Sequence, residues 1–288
     1  MNKIIPKIIG GLLNILTPLF PKFTRNKAFN LLCRVKRIPI SEEGQIFFSK
    51  GETHWLDVVG YKTALHKWGD GPKKILFMHG WMSHSQRWKQ YVESMDLNEF
   101  TCYALDAPGH GASEGNFLNL EIYRVAYMEA LEITGPVHVL VSHSFGNLVA
   151  GYQYLYNPKV PVASYVIMGS PSGMDAIFKY FEDILGLSPR MLKNLSIKIN
   201  KVLKLPIEEL SMRNFFNKLE SPALLIHEET DKITPIAPMK EAASEAKRIE
   251  VHYTSGLDHT LKSPEILKIV KNYIYKHTKT ELNVLERI

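Results

Sequence analysis

The chain contains very little cysteine for its 288 residues. Cys33 and Cys102 are the only two, and they lie far apart in unrelated surroundings. They provide neither a metal-ligand spacing nor a disulfide framework, which is compatible with a reducing compartment. A His-Glu-x-x-His motif is also missing. We therefore predict no metal, no other cofactor and a cytoplasmic location.

Motifs for nucleotides and nucleic acids are missing as well. The glycines at 10 and 11 and at 109 and 111 fit neither GxGxxG nor the phosphate-loop pattern. No helix-turn-helix, zinc or RNA-binding motif is found. An apolar content of 45% and a charged content of 22% are ordinary for a globular protein. We expect a small-molecule substrate and no nucleic-acid partner.

Acidic residues are absent from the first 37 positions, which carry eight Lys and Arg residues. The formal net charge of +6 therefore comes from this segment, and the rest of the chain is slightly negative. Apolar residues recur every three or four positions from Ile4 to Phe20, which predicts an amphipathic helix. Pro18 and Pro21 interrupt the apolar stretch, which is too short and broken to span a bilayer.

Three roles are open for this N-terminal arm, residues 1–44. The arm packs on the catalytic domain or over the mouth of its pocket, contacts a membrane surface through residues 1–37, or is a secretion signal. Secretion is the least favoured role, because no small-x-small cleavage site follows the apolar stretch. The oligomeric state is left open.

Short β-branched runs alternate with helical segments through most of the remaining chain. The opening part has the pattern of antiparallel strands at 46–49, 54–59 and 61–67. Further strand-like runs at 74–78, 101–106, 137–141 and 162–168 are separated by helical segments at 86–94, 120–133 and 145–156. This alternation predicts an α/β fold with a mostly parallel central sheet covered by helices on both faces.

The strand expected soon after residue 171 is delayed until Ala223, and the residues between them have helical periodicity. We therefore predict a helical cap inserted into the catalytic domain. The predicted boundaries are 45–171 and 219–278 for the catalytic domain, 172–218 for the cap and 279–288 for a C-terminal tail. Met174, Phe178 and Phe181 are candidates for lining a substrate pocket, although such residues more often only hold a cap together.

Ser144 stands at the junction between a strand-like run and a helical segment. Small residues flank it at Ser142 and Gly146 and permit a sharp turn. A serine hydroxyl is a poor nucleophile unless it projects from such a turn within reach of a base. The helix that begins near Phe145 points free backbone N–H groups at the place where negative charge develops on a substrate carbonyl. The pattern predicts a nucleophile elbow.

Candidate partners for Ser144 follow further along the chain. Asp231 comes after the apolar run 223–226, and His259 comes after the strand-like run 249–253. Glu228 and Glu229 are competing candidates for the acid. The order Ser, Asp, His differs from the orders in chymotrypsin-like and subtilisin-like proteases.

Two further segments complete a recognisable set of motifs. The strand-like run 75–78 ends in His79-Gly80-Trp81, a tight turn suited to an oxyanion-hole loop, and residues 106–113 read Asp-Ala-Pro-Gly-His-Gly-Ala-Ser. With the elbow and the Asp231 and His259 loops, they resemble the α/β-hydrolase superfamily over residues 54–277. The similarity is closest to cap-bearing bacterial serine esterases.

The resemblance implies a role for each residue. Ser144 attacks an acyl carbonyl, His259 transfers the proton, and Asp231 orients the imidazole. The backbone N–H groups of Trp81 and Phe145 form the oxyanion hole. His143 lies beside the substrate pocket or behind the catalytic side chains.

Outside the triad, we expect His79, His110 and Asp106 to brace loops. A carboxylesterase with a small or medium acyl substrate is the leading prediction. A thioesterase, amidase, lactonase or C–C bond hydrolase, a membrane-surface lipid hydrolase and a non-catalytic ligand-binding protein are the alternatives.

Overall fold

The computed structural model describes residues 4–279, which contain one eight-stranded sheet with the order β1-β2-β4-β3-β5-β6-β7-β8. β2 is antiparallel to both of its neighbours, and β3 to β8 are all parallel. The strands are β1 (Glu52–Val58), β2 (Tyr61–Trp68), β3 (Lys73–Met78), β4 (Phe100–Leu105), β5 (Val137–His143), β6 (Val162–Met168), β7 (Ala223–Glu228) and β8 (Ile249–Thr254). The predicted mostly parallel α/β fold is confirmed.

Helices precede the sheet and connect its strands. Those before the sheet are α1 (Ile4–Leu16), α2 (Pro21–Leu32) and α3 (Glu42–Ser49). Those within and after it are α4 (Lys89–Glu93), α5 (Leu120–Thr134), α6 (Phe145–Tyr156), α7 (Met174–Leu185), α8 (Pro189–Val202), α9 (Met212–Lys218), α10 (Ile236–Ala243) and α11 (Pro264–His277). Short 3₁₀ turns lie at Ser85–Trp88 and Ile207–Glu209.

Each face of the sheet has its own apolar core. One core joins the sheet to α5 and α6, with Tyr123, Tyr127 and Tyr152 fully buried. The other joins it to α3, α4 and α11, where Ile266 and Val270 are fully buried. Because both faces are covered, the central strands are apolar on both sides, and every residue of β5 is buried. This buried strand carries Ser144 at its carboxyl end.

The prediction of a strand at 46–49 was wrong, because these residues form the second half of α3. The Ser41 side chain caps the helix by accepting a hydrogen bond from the Gly44 amide, and Glu42 and Glu43 occupy its first turn. Alternating apolar residues suggested a strand, but the capping residues just upstream were the better signal. The predicted boundary between residues 44 and 45 falls inside this helix.

Between β6 and β7, the chain forms α7, α8 and α9, which we call the inserted helices. The N-terminal arm packs mainly on these helices, with α1 against α7 and α2 against α8. Beyond α2, the Val35 amide donates to the Asn116 carbonyl at 2.8 Å, which ties the arm to the catalytic domain. None of the described helices is both long and apolar enough to cross a membrane. Residues 280–288 of the predicted C-terminal tail lie outside the described residues.

Candidate active site

Ser144 lies in the tight turn between β5 and α6. Its φ of 51° is in the left-handed region, a strained conformation for a residue with a side chain. The Ser144 amide donates to the Met168 carbonyl at 2.9 Å, and the Ser142 hydroxyl donates to the Asn147 side chain at 2.6 Å. A Cβ on Gly146 would lie 2.9 Å from the His79 carbonyl oxygen. The turn is therefore fixed from both sides and requires a glycine at 146.

The three predicted catalytic side chains form one hydrogen-bonded chain. The Ser144 hydroxyl lies 3.0 Å from His259 Nε2, and His259 Nδ1 lies 2.7 Å from Asp231 Oδ2. Ser144 and His259 are partly exposed, whereas the Asp231 carboxylate is fully buried. With Nδ1 donating to Asp231, the imidazole presents Nε2 to the serine as an acceptor.

Asp231 is held in its charged form by its surroundings. Burial alone would raise the pKa of its carboxyl group. Hydrogen bonds from His259, from the Thr234 amide and hydroxyl and from the Ile233 amide outweigh burial and lower the pKa to about 2. The carboxylate is thus ionised at neutral pH and oriented toward His259.

The competing acids lie elsewhere. Glu229 is exposed and pairs with Lys240 at 2.9 Å. Glu228 is buried and accepts hydrogen bonds from Thr254, Thr230 and the amides of Gly256 and Leu257. Burial would raise the Glu228 pKa, but these hydrogen bonds lower it to about 2. Glu228 therefore braces the loop that leads to His259.

The loop after β3 approaches Ser144 closely. A Cβ on Gly80 would lie only 2.8 Å from the Ser144 Cβ, so a larger residue does not fit there. The Trp81 and Phe145 rings meet edge to face with centroids 5.7 Å apart. Within residues 4–279, no acceptor is assigned to the Trp81 or the Phe145 amide. Two amides beside the serine are thus free to donate to a developing oxyanion.

Three buried polar side chains hold this loop in place, as predicted. His79 accepts a hydrogen bond from the Ala107 amide at 3.0 Å, and His110 accepts one from the Met82 amide at 3.1 Å. Asp106 accepts from the Ser85 amide at 2.7 Å and contacts His66 Nε2 at 3.1 Å. Burial lowers the pKa of His79 to about 3 and that of His110 to about 4, so both imidazoles are neutral.

His143 lies behind the catalytic histidine. Its Nδ1 accepts from Arg87 Nη1 at 2.8 Å, so its Nε2–H donates to the His259 carbonyl at 2.8 Å. Arg87 Nη2 also donates to the Thr260 carbonyl at 3.1 Å. Burial and the nearby Arg87 charge hold the pKa of His143 well below its usual value. Both ring nitrogens are therefore engaged with the protein rather than directed at a substrate.

The sequence gave no signal for the role of Arg87. It lies on the 3₁₀ turn after β3, 56 residues before His143 and 173 before Thr260. Its guanidinium is buried and partly stacked on the Trp88 ring, and burial lowers its pKa to about 10. Only the folded chain brings it to the backbone on either side of the His259 peptide.

The three predicted pocket residues of the insertion lie on α7. Met174 is buried, and Phe178 and Phe181 are half-buried against the same apolar cluster that Trp81 and Phe145 contact. A cavity of about 390 Å³ lies nearby, beside Met82, Arg87 and Lys262, but Ser144 and His259 do not line it. The role of the α7 residues in binding substrate stays a prediction.

Comparison with known proteins places these motifs in a family. A model of the alpha/beta hydrolase family matches residues 75–261, which include all three side chains of the hydrogen-bonded chain. A curated relative, the pimeloyl-[acyl-carrier protein] methyl ester esterase of Proteus mirabilis, is 26% identical over 132 residues. The match covers 46% of this chain and 48% of the relative, so this chain spans about half the length of that protein.

Solved structures share the fold at low sequence identity. The esterase RhEst1 from Rhodococcus sp. ECU1013 is 17% identical with a TM-score of 0.59, over 79% of this chain and 99% of that one. A structure described as a membrane phospholipase A, a novel bacterial virulence factor, is 14% identical with a TM-score of 0.62, over 94% and 98%. These two similarities concern the fold alone. With the family match covering more than half of the sequence, the chain belongs to the alpha/beta hydrolase family.

Proposed function

We propose that this protein is a serine carboxylesterase that cleaves small or medium acyl esters through an acyl-enzyme intermediate. The observation that carries the proposal is the chain of two hydrogen bonds, 3.0 Å and 2.7 Å long, from Ser144 through His259 to Asp231. A buried ionised carboxylate, a correctly oriented imidazole and a strained serine at the end of a strand are the parts that acyl transfer requires.

In the proposed reaction, Ser144 Oγ attacks the acyl carbonyl while His259 Nε2 accepts its proton. Asp231 stabilises the imidazolium that forms, and the Trp81 and Phe145 amides stabilise the oxyanion. His259 then donates the proton to the departing alcohol, which leaves Ser144 acylated. Attack by water, with His259 again acting as base, releases the acid and restores the free serine.

The apolar character of the surroundings supports an uncharged acyl group as substrate. Phe145 and Trp81 flank the serine, and α7 adds Met174, Phe178 and Phe181 to the same cluster. In this proposal, α7 covers the acyl group as part of a cap. An ester is favoured over a thioester, amide, lactone or C–C bond because the Proteus mirabilis relative is named as a methyl ester esterase.

Labelling with a fluorophosphonate probe tests the proposal. The wild-type protein is expected to react stoichiometrically, and Ser144→Ala is expected not to react. Ser142→Ala is the matched control, since it removes a neighbouring hydroxyl and leaves the nucleophile in place. Equal labelling of wild type and Ser144→Ala would refute the assignment, as would an unreactive wild type.

A second measurement separates the bond types and the non-catalytic alternative. The protein is assayed with p-nitrophenyl esters of increasing acyl length and with matched thioesters, lactones and anilides, and kcat/KM is compared across the series. The highest value is expected for a short or medium ester. A ligand that binds stably to the wild type without turnover would instead favour a binding protein.

A further inference from the structure

Helix α1 has apolar residues on two opposite sides. The inner side, with Gly10 and Leu13 buried, faces the inserted helices. The outer side carries a regular stripe whose residues are spaced alternately three and four apart and are each between 56% and 73% exposed. This outer stripe consists of Ile5, Ile8, Leu12, Ile15 and Leu19. A helix that is apolar all round is normally buried on all sides, so the outer stripe calls for a partner.

The helix cannot rotate to bury the outer stripe, because its inner side is fitted closely to its neighbours. A Cβ on Gly10 would lie 1.7 Å from the Leu185 carbonyl oxygen, so the backbones touch there. The Asn14 side chain donates to the Gly186 carbonyl and accepts from the Ser188 amide, both at 2.8 Å. These polar contacts fix which side of α1 faces α7.

Positive charge surrounds the outer stripe. The segments 1–37 and 184–207 together contain thirteen Lys and Arg residues and no Asp or Glu. Lys7, Lys22 and Lys27 are exposed on the arm, and within residues 4–279 none of them forms an ion pair. The chain's formal net charge is only +6, so the remaining residues carry a net negative charge. The basic surface is therefore local to the arm and α8.

A groove next to the stripe combines both properties. It has a volume of about 210 Å³ and lies between the turn that joins α1 to α2 and the surface of α8. Pro18, Pro21 and Ile197 give it apolar walls, and Arg190 and Lys193 line it with exposed cations. Such a groove suits a ligand with an anionic group next to hydrocarbon. Phe20 and Phe23, both more than half exposed, extend the apolar surface beyond the turn.

We propose that the outer stripe and the surrounding cations dock this protein onto the surface of a bilayer that contains anionic phospholipids. The stripe inserts among the acyl chains near the headgroups, and the lysines and arginines neutralise lipid phosphates. Pairing of two copies through the same surface is disfavoured, because it would bring two sets of unpaired cations together. The proposal does not depend on the esterase activity.

Vesicle flotation tests the docking with the full chain in its Ser144→Ala form, which prevents any turnover of lipid. The probes are phosphatidylcholine vesicles with and without 30% phosphatidylglycerol. Partitioning to the anionic vesicles is expected to be at least about tenfold stronger and to fall with added salt. The triple variant Ile8→Ser, Leu12→Ser, Ile15→Ser is expected to lose at least about tenfold in binding.

A matched control carries three substitutions of the same kind on exposed aliphatic residues elsewhere, Ile46→Ser, Val59→Ser and Ile133→Ser. It is expected to bind like the parent protein. The proposal is overturned if the parent does not float with anionic vesicles, or if the two triple variants bind equally. It is also overturned if light scattering shows a dimer that only the Ile8, Leu12, Ile15 variant dissociates.

A fluorescent label gives a readout that does not depend on the stability of the triple variant. Both native cysteines are buried, so Ile15→Cys is selectively labelled with an environment-sensitive dye. Its emission is expected to shift to the blue on anionic vesicles, whereas the same dye on Val59→Cys is expected not to respond. An unshifted Ile15 label would overturn the proposal. Normal activity on a soluble ester in that case would leave the proposed esterase function intact.

Discussion

Around Ser144, buried carboxylates hold the backbone through many hydrogen bonds, whereas α1 is held to the inserted helices mostly by close apolar contact. Glu228, Asp231 and Asp106 each accept several hydrogen bonds from loop amides and side chains. At the arm, Gly10 and Leu13 supply contact, and Asn14 supplies two hydrogen bonds. A polar network fails when one member is removed, while an apolar contact loses free energy in proportion to its fit. The two regions should therefore respond differently to substitution.

The largest effect is expected from breaking the polar chain at its buried end. Asp231→Asn leaves a side chain of the same shape but no longer favours the Nδ1–H form of His259, so kcat is expected to fall about 10⁴-fold. Glu229→Gln, which alters an exposed carboxylate three residues from the end of β7, is expected to change kcat by less than about twofold. Steady-state kinetics on a p-nitrophenyl ester measures both. Similar rates for the two variants would assign the orienting role to another group.

A smaller loss of activity is expected from moving the oxyanion loop. The Cβ of Gly80→Ala meets the Ser144 Cβ at 2.8 Å and must push the loop or the serine aside. A misplacement of about 1 Å typically costs on the order of 10²-fold in rate. Gly11→Ala, where the added Cβ meets nothing within 4 Å, is the control and is expected to react normally. The rate of fluorophosphonate labelling compares them, and equal rates would mean that the loop tolerates the methyl group.

The Glu228 carboxylate should make the stability of the His259 loop depend on pH. Its pKa is about 2 in the folded protein and ordinarily 4.5, so its contribution is complete above pH 4.5 and is lost as the pH falls toward 2. Glu228→Gln is expected to lower the free energy of unfolding by about 1 to 3 kcal/mol at pH 7, and the difference from wild type should shrink below pH 4.5. Urea unfolding at several pH values measures this. Glu245→Gln, at an exposed position, should show no such trend.

Two adjacent glycines sharpen the comparison within the arm itself. Gly10→Ala places a Cβ 1.7 Å from the Leu185 carbonyl oxygen and is expected to destabilise the fold by about 1 to 3 kcal/mol. Gly11→Ala adds a methyl group in open space and is expected to stabilise the helix by up to about 1 kcal/mol. Thermal unfolding should give Tm shifts of opposite sign. Shifts of the same sign would mean that α1 does not contact α7 as described.

Much of the sheet and the Ser144 elbow could be predicted because their signals are local. An apolar run such as 137–141 followed by small residues around a serine carries its own interpretation. The chain order of Ser144, Asp231 and His259 then narrowed the fold. Residues 46–49 failed because four residues with alternating apolar side chains fit a strand and a helix equally well.

The contacts that brace the site could not be predicted, because they join distant parts of the chain. Arg87, His143 and Thr260 meet only after β3, β5 and the segment following β8 are aligned at one edge of the sheet. Glu228 was considered only as a rival to Asp231, since its partners, the Gly256 and Leu257 amides, carry no sequence signal. The arm was expected to present a single apolar face, and its second face emerged only when α7 covered the first.

The contact between α1 and α7 also has a consequence for synthesis on the ribosome. Asn14 and its partner Gly186 are 172 positions apart, so the arm leaves the ribosome long before the helix that covers its inner side. At about 5 to 20 residues per second, this delay is on the order of ten seconds or more. Throughout that time both apolar sides of α1 face solvent, together with unpaired lysines. A nascent chain with such a beginning is a substrate for chaperones, or for the membrane itself, before the catalytic serine has been made.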